Sequence, residues 1–175
     1  MLNAILNAIA NWLIRRAQRT PYLHIDDYMN RWWLIPYNRF GIAVRIHQIL
    51  RSDQDRHLHD HPWWYISVVL RGGYWEITPP RDVGSPNRMR LPHGTWRGPG
   101  NIVFRHASHF HKLKLPGRDD TGSSIGIGAD VSCWTLFITG PKSQDWGFLV
   151  GREKVLARDY LGDRFNETDY GKGYE

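Results

Sequence analysis

The sequence predicts an all-β fold of antiparallel strands preceded by one α-helix. From Gly41 onward, short runs of β-branched and aromatic residues alternate with turn residues roughly every 8–12 positions, which is typical of a sandwich or barrel. With 175 residues, 41% of them hydrophobic, the chain is long enough to bury one core. We therefore expect an amphipathic helix at residues 1–20, one β domain at 21–165 and a flexible tail at 166–175.

Individual strands are predicted from alternating polarity and from turn residues. The run Gly41–Leu50 alternates apolar with polar side chains, which indicates a half-buried strand, whereas Tyr22–Pro36 is predicted to be irregular. The run Trp63–Leu70 is followed by Gly72–Gly73, which predicts a hairpin into Tyr74–Thr78. Further strands are predicted at Asn101–Arg105, Phe110–Leu115, Ser132–Thr139 and Trp146–Val150, and mostly loop at Thr78–Pro99 and Asp119–Gly128.

The N-terminal helix carries one narrow polar stripe. Asn3, Asn7 and Asn11 recur at every fourth position and continue into Arg15, while the remaining positions are mostly apolar. So broad an apolar surface needs a partner, and we expect its own domain or a second subunit, with a homodimer as the assembly. The alternative is peripheral contact of residues 1–19 with a membrane surface, with the arginines at the lipid headgroups.

Several classes of protein are excluded by composition. No run of about 18 apolar residues is present, which argues against an ordinary membrane span. The arginines follow the N-terminal apolar stretch instead of preceding it, which is the wrong order for a secretory signal, so a cytoplasmic protein is expected. Cys133 is the only cysteine and is expected in the core; a metal site would need histidines and carboxylates.

The histidines are concentrated in two short groups. One group contains His59 and His61, and the other contains His109 and His111. Residues i and i+2 of a strand point to the same face, so each pair can converge on one point. Neutral imidazoles gathered in this way form sites for Zn(II), Fe(II), Ni(II) or Cu(II).

The spacing around these histidines resembles the motifs of the cupin superfamily. The pair His59-Asp60-His61 is followed by a strand, and Gly72 lies at the position of the family's turn glycine. The second motif begins at Gly100, runs through a strand and reaches a histidine at His111. The resemblance covers roughly residues 42–139. The wider sequence is also similar to small uncharacterised cupin-like proteins of bacteria and phages.

The resemblance implies a small jelly-roll barrel with one divalent metal inside it. His59, His61 and His111 would be the ligands, with His109 as the alternative third ligand. Where many cupins have a fourth, glutamate ligand, this chain has Tyr65, which implies a three-histidine site and makes the tyrosine a candidate catalytic hydroxyl. Fe(II) is the first expectation for oxygen chemistry, whereas Zn, Ni or Mn would suit isomerase or hydrolytic chemistry.

The expected function is that of a metal-dependent, oxygenase-like enzyme acting on a small polar or anionic molecule. The alternatives are a non-catalytic ligand-binding cupin and a phage or membrane-associated interaction protein. Residues 81–118 contain eight basic residues against one acidic residue, Asp82, which predicts a basic rim that attracts an anion. Nucleic acid is not the expected partner. Asp60 is expected to have a structural role, and the predicted cavity walls are Trp63, Trp75 and Trp134.

Overall fold

The all-β class predicted from the sequence is confirmed. The computed structural model describes residues 2–20, 24–25, 27–36, 38–80, 93–116 and 132–165. Within them the chain forms an N-terminal helix, eleven strands and a short C-terminal helix. Their bounds are α1 Leu2–Ala17, β1 Met29–Ile35, β2 Ala43–Ile49, β3 Leu58–His59, β4 Tyr65–Arg71, β5 Tyr74–Thr78, β6 His93–Arg97, β7 Ile102–Arg105, β8 Lys112–Lys114, β9 Cys133–Thr139, β10 Gly147–Val150, β11 Glu153–Leu156 and α2 Ala157–Leu161.

The strands form three antiparallel sheets. The largest has five strands in the order β1-β2-β9-β4-β7, and the two smaller sheets have the orders β11-β10-β3 and β6-β5-β8. An isolated antiparallel bridge between His59 and His111 joins the two smaller sheets. Across the described residues the hydrogen-bonded ladders do not close into one continuous barrel, and the arrangement is that of a jelly roll.

Two strands lie in segments that the sequence pattern predicts to be irregular or loop. Strand β1 pairs with β2 from Val44 to Ile49, with Trp32 opposite Ile46, and the register shifts between Trp33 and Ile35. Strand β6 pairs with β5, with Trp96 opposite Trp75. Both predictions are wrong because pairing with a neighbouring strand overrides weak local alternation.

The turn at Gly72 changes sheets instead of making a hairpin. Strand β4 lies in the five-stranded sheet, whereas β5 pairs with β6 and β8, so the predicted pairing of the two is wrong. Gly72 has φ +73°, and a Cβ atom built there would lie 2.6 Å from the carbonyl oxygen of Ser132. Only glycine meets both requirements without strain, and this explains why the turn needs it.

Helix α1 covers part of the outer face of the five-stranded sheet. Its buried residues Ile14 and Ala17 pack against Trp32, Ile46 and Trp134. The Trp134 ring stacks on Trp32 at 5.4 Å between ring centroids. The prediction that Trp134 walls the cavity is therefore wrong, because this ring lies on the side of the sheet that contacts the helix.

The opposite side of α1 is exposed. Ile5, Leu6, Ile9 and Trp12 are each between 47% and 60% exposed, which is unusual for neighbouring large apolar side chains. None of the helices in the described part of the chain is long and apolar enough to cross a membrane. Coverage of this side by a second copy, or its contact with a membrane surface, stays a prediction.

Strand β2 is buried on both faces. Arg45 and His47 are only 4% and 7% exposed, so the strand is more deeply buried than the half-buried strand that its alternation predicts. These polar side chains line an internal cavity of about 330 Å³ together with residues from the smaller sheets. The cavity explains how a strand that alternates in polarity lies inside the molecule.

Candidate metal centre

Three histidines meet at one side of this cavity. His59, His61 and His111 each offer a ring nitrogen, and these nitrogens all lie within 4.8 Å of one another. His59 ends β3, His61 follows two residues later, and His111 immediately precedes β8. The backbones of His59 and His111 exchange two N–H···O bonds of 2.9 Å, which places the two side chains next to each other.

The backbone also explains the position of His109. If the antiparallel register continued from His59 and His111, His109 would lie opposite His61. Instead, the His109 amide closes a turn onto the carbonyl of His106, and the His61 amide donates to Ala107 at 3.1 Å. The structure therefore brings His111 into the three-histidine group and leaves His109 outside it, 31% exposed, with Nε2 3.8 Å from Glu76. The sequence alone left this choice open.

Burial favours neutral imidazoles in this group. Removal from water lowers the pKa of His59 to about 4, although Asp53 opposes the shift. Burial, followed by the proximity of His111 and His59, holds the pKa of His61 well below its usual range. The Nε2 atoms of His61 and His111 lie 2.9 Å apart. Close, neutral ring nitrogens are the donor set that divalent transition metals prefer, so this group could hold a metal ion.

Tyr65 places its hydroxyl beside the histidines. The residue is 2% exposed, and its oxygen lies 3.3 Å from Nε2 of His111. Burial raises the pKa of the phenol well above its usual value, and the Glu76 carboxylate raises it further. The hydroxyl is therefore neutral and available as a hydrogen-bond donor, and its catalytic role stays a prediction.

The structure adds a carboxylate that the sequence reasoning overlooked. Glu76 on β5 is 1% exposed, and its Oε1 atom lies 3.6 Å from Nδ1 of His111. Arg97 donates to Oε2 at 2.9 and 2.6 Å, and Arg105 donates to Oε1 at 2.9 Å and Oε2 at 2.6 Å. Burial alone would raise the Glu76 pKa, but interactions with His111, Arg105 and Arg97 hold it far below its usual range.

One sequence signal for Glu76 was available. It lies two residues after Tyr74, and alternate residues of a strand share a face, so a buried Tyr74 places Glu76 inside as well. Its importance depends on two arginines from β6 and β7, which no local spacing connects to it. Pairing between these distant strands was therefore the missing information.

A second carboxylate lies behind His59. Nδ1 of His59 is 3.9 Å from Oδ2 of Asp53. The same carboxylate accepts hydrogen bonds from the Tyr28 hydroxyl and, at 2.6 Å, from the Leu113 amide. A carboxylate that accepts a hydrogen bond from a metal-ligating imidazole orients the ring, and Asp53 lies on the Nδ1 side of His59 at a distance longer than a hydrogen bond.

Asp60 lies between His59 and His61 in the sequence. It has the structural role predicted for it. It is 1% exposed and accepts hydrogen bonds from the Gly147 amide at 2.7 Å and from Gln144 Nε2 at 2.8 Å. Lys154 Nζ lies 2.6 Å from the same carboxylate. These contacts fasten the histidine segment to β10 and β11.

Aromatic rings pack around the histidines. Trp63 stacks on His61 with 5.1 Å between ring centroids, and Phe137 stacks on Tyr65 at 4.9 Å. Trp63 also lines the cavity, as predicted. Trp75 does not, because its side chain is 44% exposed on the outer face of β5. Cys133 is fully buried, as expected, and burial raises its thiol pKa to about 12.

The predicted basic rim takes a different form. Of its members, Arg81, Arg88, Arg90 and Arg118 lie outside the described residues. Arg97 and Arg105 form ion pairs with buried Glu76, so their charges are paired with a carboxylate inside the protein. The arginines that line the cavity come from other segments instead: Arg31 on β1, Arg45 on β2, Arg51 after β2, and Arg164 near the end of the described residues.

The motif elements now lie together in space. Gly72 and Gly100 both adopt positive φ, at +73° and +84°, and strands β4 and β7 connected to them are paired neighbours. The bridge between His59 and His111 brings the two histidine motifs to one point inside the jelly roll. This is the arrangement that the resemblance to the cupin superfamily implies. Its three-histidine group fits a metal-binding cupin, although the metal is not identified by the ligands.

The solved structures that match this chain include two proteins described as cupins. A polyketide cyclase from Streptomyces resistomycificus is 14% identical, covers 87% of both chains and has a TM-score of 0.48. An RmlC-like cupin protein from Ralstonia eutropha is 14% identical, with 79% of this chain and 70% of that chain covered and a TM-score of 0.46. A cupin superfamily protein from Desulfitobacterium hafniense is 9% identical, with 69% and 84% covered and a TM-score of 0.42. No protein family model and no curated protein matches this sequence.

Proposed function

We propose that this cupin is an enzyme that depends on one divalent transition metal, held by His59, His61 and His111. The observation that supports the proposal is the convergence of three ring nitrogens within 4.8 Å at the wall of a cavity of about 330 Å³. A cavity of this size fits a small molecule. Three protein ligands would leave coordination positions free for that molecule.

The proposed reaction class is oxygenase-like, with Fe(II) as the metal. When bound, such a metal supplies a Lewis-acid centre at which a substrate and O₂ can be brought together. Zn, Ni or Mn at the same three ligands would serve isomerase or hydrolytic chemistry. The substrate that we propose is a small polar or anionic molecule, because the cavity is lined by charged as well as aromatic side chains.

The chain's own residues have defined parts in this proposal. Glu76 and Asp53 would orient His111 and His59, whose Nδ1 atoms lie 3.6 and 3.9 Å from a carboxylate oxygen. Tyr65 keeps a neutral hydroxyl close to His111, where it can donate a hydrogen bond to a substrate oxygen. Trp63 packs on His61 and restricts the access of water to that side of the site.

Nitric oxide tests whether the proposed site is open. We expect the untagged chain, loaded anaerobically with Fe(II), to bind one nitric oxide per iron and to give a high-spin iron–nitrosyl signal in electron paramagnetic resonance. The reason is that three histidines leave coordination positions free. His61→Ala is expected to abolish the signal, whereas His93→Ala, at an exposed position on β6, is the matched control.

Two results would oppose the proposal. Iron that binds stoichiometrically without accepting nitric oxide would indicate a closed, structural site and would favour the alternative of a non-catalytic ligand-binding cupin. A signal that persists unchanged in His61→Ala would show that the iron lies elsewhere.

A further inference from the structure

The cavity contains a second group of polar side chains, on the five-stranded sheet. Arg31 on β1 is 8% exposed, and Arg45 and His47 on β2 are 4% and 7% exposed. Arg31 is the direct cross-strand partner of His47, and Arg45 is two residues from His47 on the same face. All three residues line the cavity. Two guanidinium groups and an imidazole are therefore gathered on one buried face.

The charge of this wall is positive. Arg31, Arg45, Arg51 and Arg164 line the cavity, against the two acidic residues Asp53 and Asp55. Arg164 lies 3.8 Å from Asp55, and Asp53 accepts hydrogen bonds from Tyr28 and the Leu113 amide beside His59. A wall with this excess of arginine attracts an anionic group.

Two cavity-lining nitrogen atoms have no partner among the described residues. Nε2 of His47 and Nε of Arg51 are buried and make no hydrogen bond there. Burial, followed by the nearby Arg45 and Arg31 charges, holds the His47 pKa well below its usual range, so its ring is neutral. A polar group left unsatisfied inside a protein is destabilising, and a bound ligand would satisfy it.

The orientation of Arg45 is fixed by two indole rings. Its Cζ atom lies 4.7 Å from the centre of the Trp33 ring and 5.8 Å from the centre of the Trp63 ring. The same Trp63 ring stacks on His61. The Trp63 ring therefore contacts both the guanidinium of Arg45 and the imidazole of His61.

We infer that Arg31, Arg45 and His47 form an anion subsite that holds a carboxylate or phosphate group of the substrate, while the rest of that molecule faces His59, His61 and His111. A planar guanidinium binds such oxyanions through paired N–H donors. The inference deepens the proposed function and rests on it for the reacting end of the molecule. The anion-binding end is tested separately, without metal.

Inorganic phosphate is the probe, titrated into untagged, chelator-treated protein at constant ionic strength. Trp33 and Trp63 flank Arg45, so intrinsic tryptophan fluorescence reports the titration and calorimetry checks it. We expect saturable binding that is at least ~10-fold weaker in Arg45→Gln and partly retained in Arg45→Lys. Arg31→Gln is expected to act in the same direction and serves if Arg45→Gln does not fold.

A surface arginine is the matched control. Arg158→Gln removes a side chain that is 61% exposed and pairs weakly with Asp145, so phosphate affinity should not change. Equal affinity in wild type, Arg31→Gln and Arg45→Gln would overturn the subsite, as would absence of saturable binding in the wild type. An equal loss in Arg158→Gln would also overturn it, because it would indicate general charge attraction only.

A variant of the three-histidine group distinguishes this inference from the proposed function. Phosphate binding is expected to persist in His59→Ala, since the anion is held by other residues. If phosphate binding persists in His59→Ala and neither the wild type nor any variant binds metal, the anion subsite stands and the metal-dependent function fails. The subsite is wrong if the wild type binds phosphate only when metal is present and His59→Ala does not bind it at all. In that case the anion is a ligand of the metal.

Discussion

Replacing His111 with alanine is expected to lower the affinity for a divalent metal by at least ~100-fold, whereas replacing His109 should change it by less than ~5-fold. His111 lies 2.9 Å from His61 through their Nε2 atoms and belongs to the three-histidine group. His109 lies outside the group, at the end of a turn that begins at His106. The measurement is a competition titration of Co(II) or Zn(II) against a chromophoric chelator, with untagged protein.

The pair of variants is informative because the two histidines are two residues apart in one motif. Both substitutions remove the same side chain from the same segment, so differences in expression or in nonspecific binding are controlled. His93→Ala provides an exposed control on β6. A large loss in His109→Ala together with no loss in His111→Ala would mean that the metal uses the alternative ligand and that our register argument is wrong.

Replacing Glu76 with alanine is expected to lower the free energy of unfolding by about 3–5 kcal/mol, the range for breaking a buried ion pair from one side. Glu76 is 1% exposed and accepts hydrogen bonds from both Arg97 and Arg105. Alanine would leave two partly buried guanidinium groups without that carboxylate. Denaturant unfolding of metal-free protein measures the effect without a contribution from metal binding.

The same substitution should also affect the metal site. Glu76 lies 3.6 Å from Nδ1 of His111, and loss of such a carboxylate typically weakens metal binding by about 10–100-fold. Glu153→Ala, on an exposed position of β11, is the control for both measurements. A change in unfolding free energy below about 1 kcal/mol would show that the arginines find other partners and that Glu76 does not organise this part of the protein.

The sequence predicts the strands that carry strong local signals. Strands β2, β4, β5 and β9 lie where alternation and turn residues place them, and Gly72 ends β4 at a turn that requires positive φ. The partners of these strands were not predictable from local pattern. Strand β5 pairs with β6 and β8 instead of β4, because pairing is chosen by packing across the whole domain.

The candidate site was also predicted only in part. The alternation of side chains along a strand and the spacing of the motifs predicted His59, His61 and His111 as metal ligands. Their nitrogens are close in the folded chain. Glu76 and its partners Arg97 and Arg105 were missed because they come from strands distant in the sequence. Alternation on β2 indicated that Arg45 and His47 share a face, but only the fold shows that this face lines a cavity.

Anomalous diffraction from crystals of the untagged chain, grown with Fe(II) or Zn(II), would locate the metal. We expect one strong peak per chain, at about 2.0–2.2 Å from a nitrogen of each of His59, His61 and His111. The peak should be absent in crystals of His61→Ala. No peak in the wild type, or a peak whose nearest ligands are other residues, would contradict the assignment of this site as the metal centre.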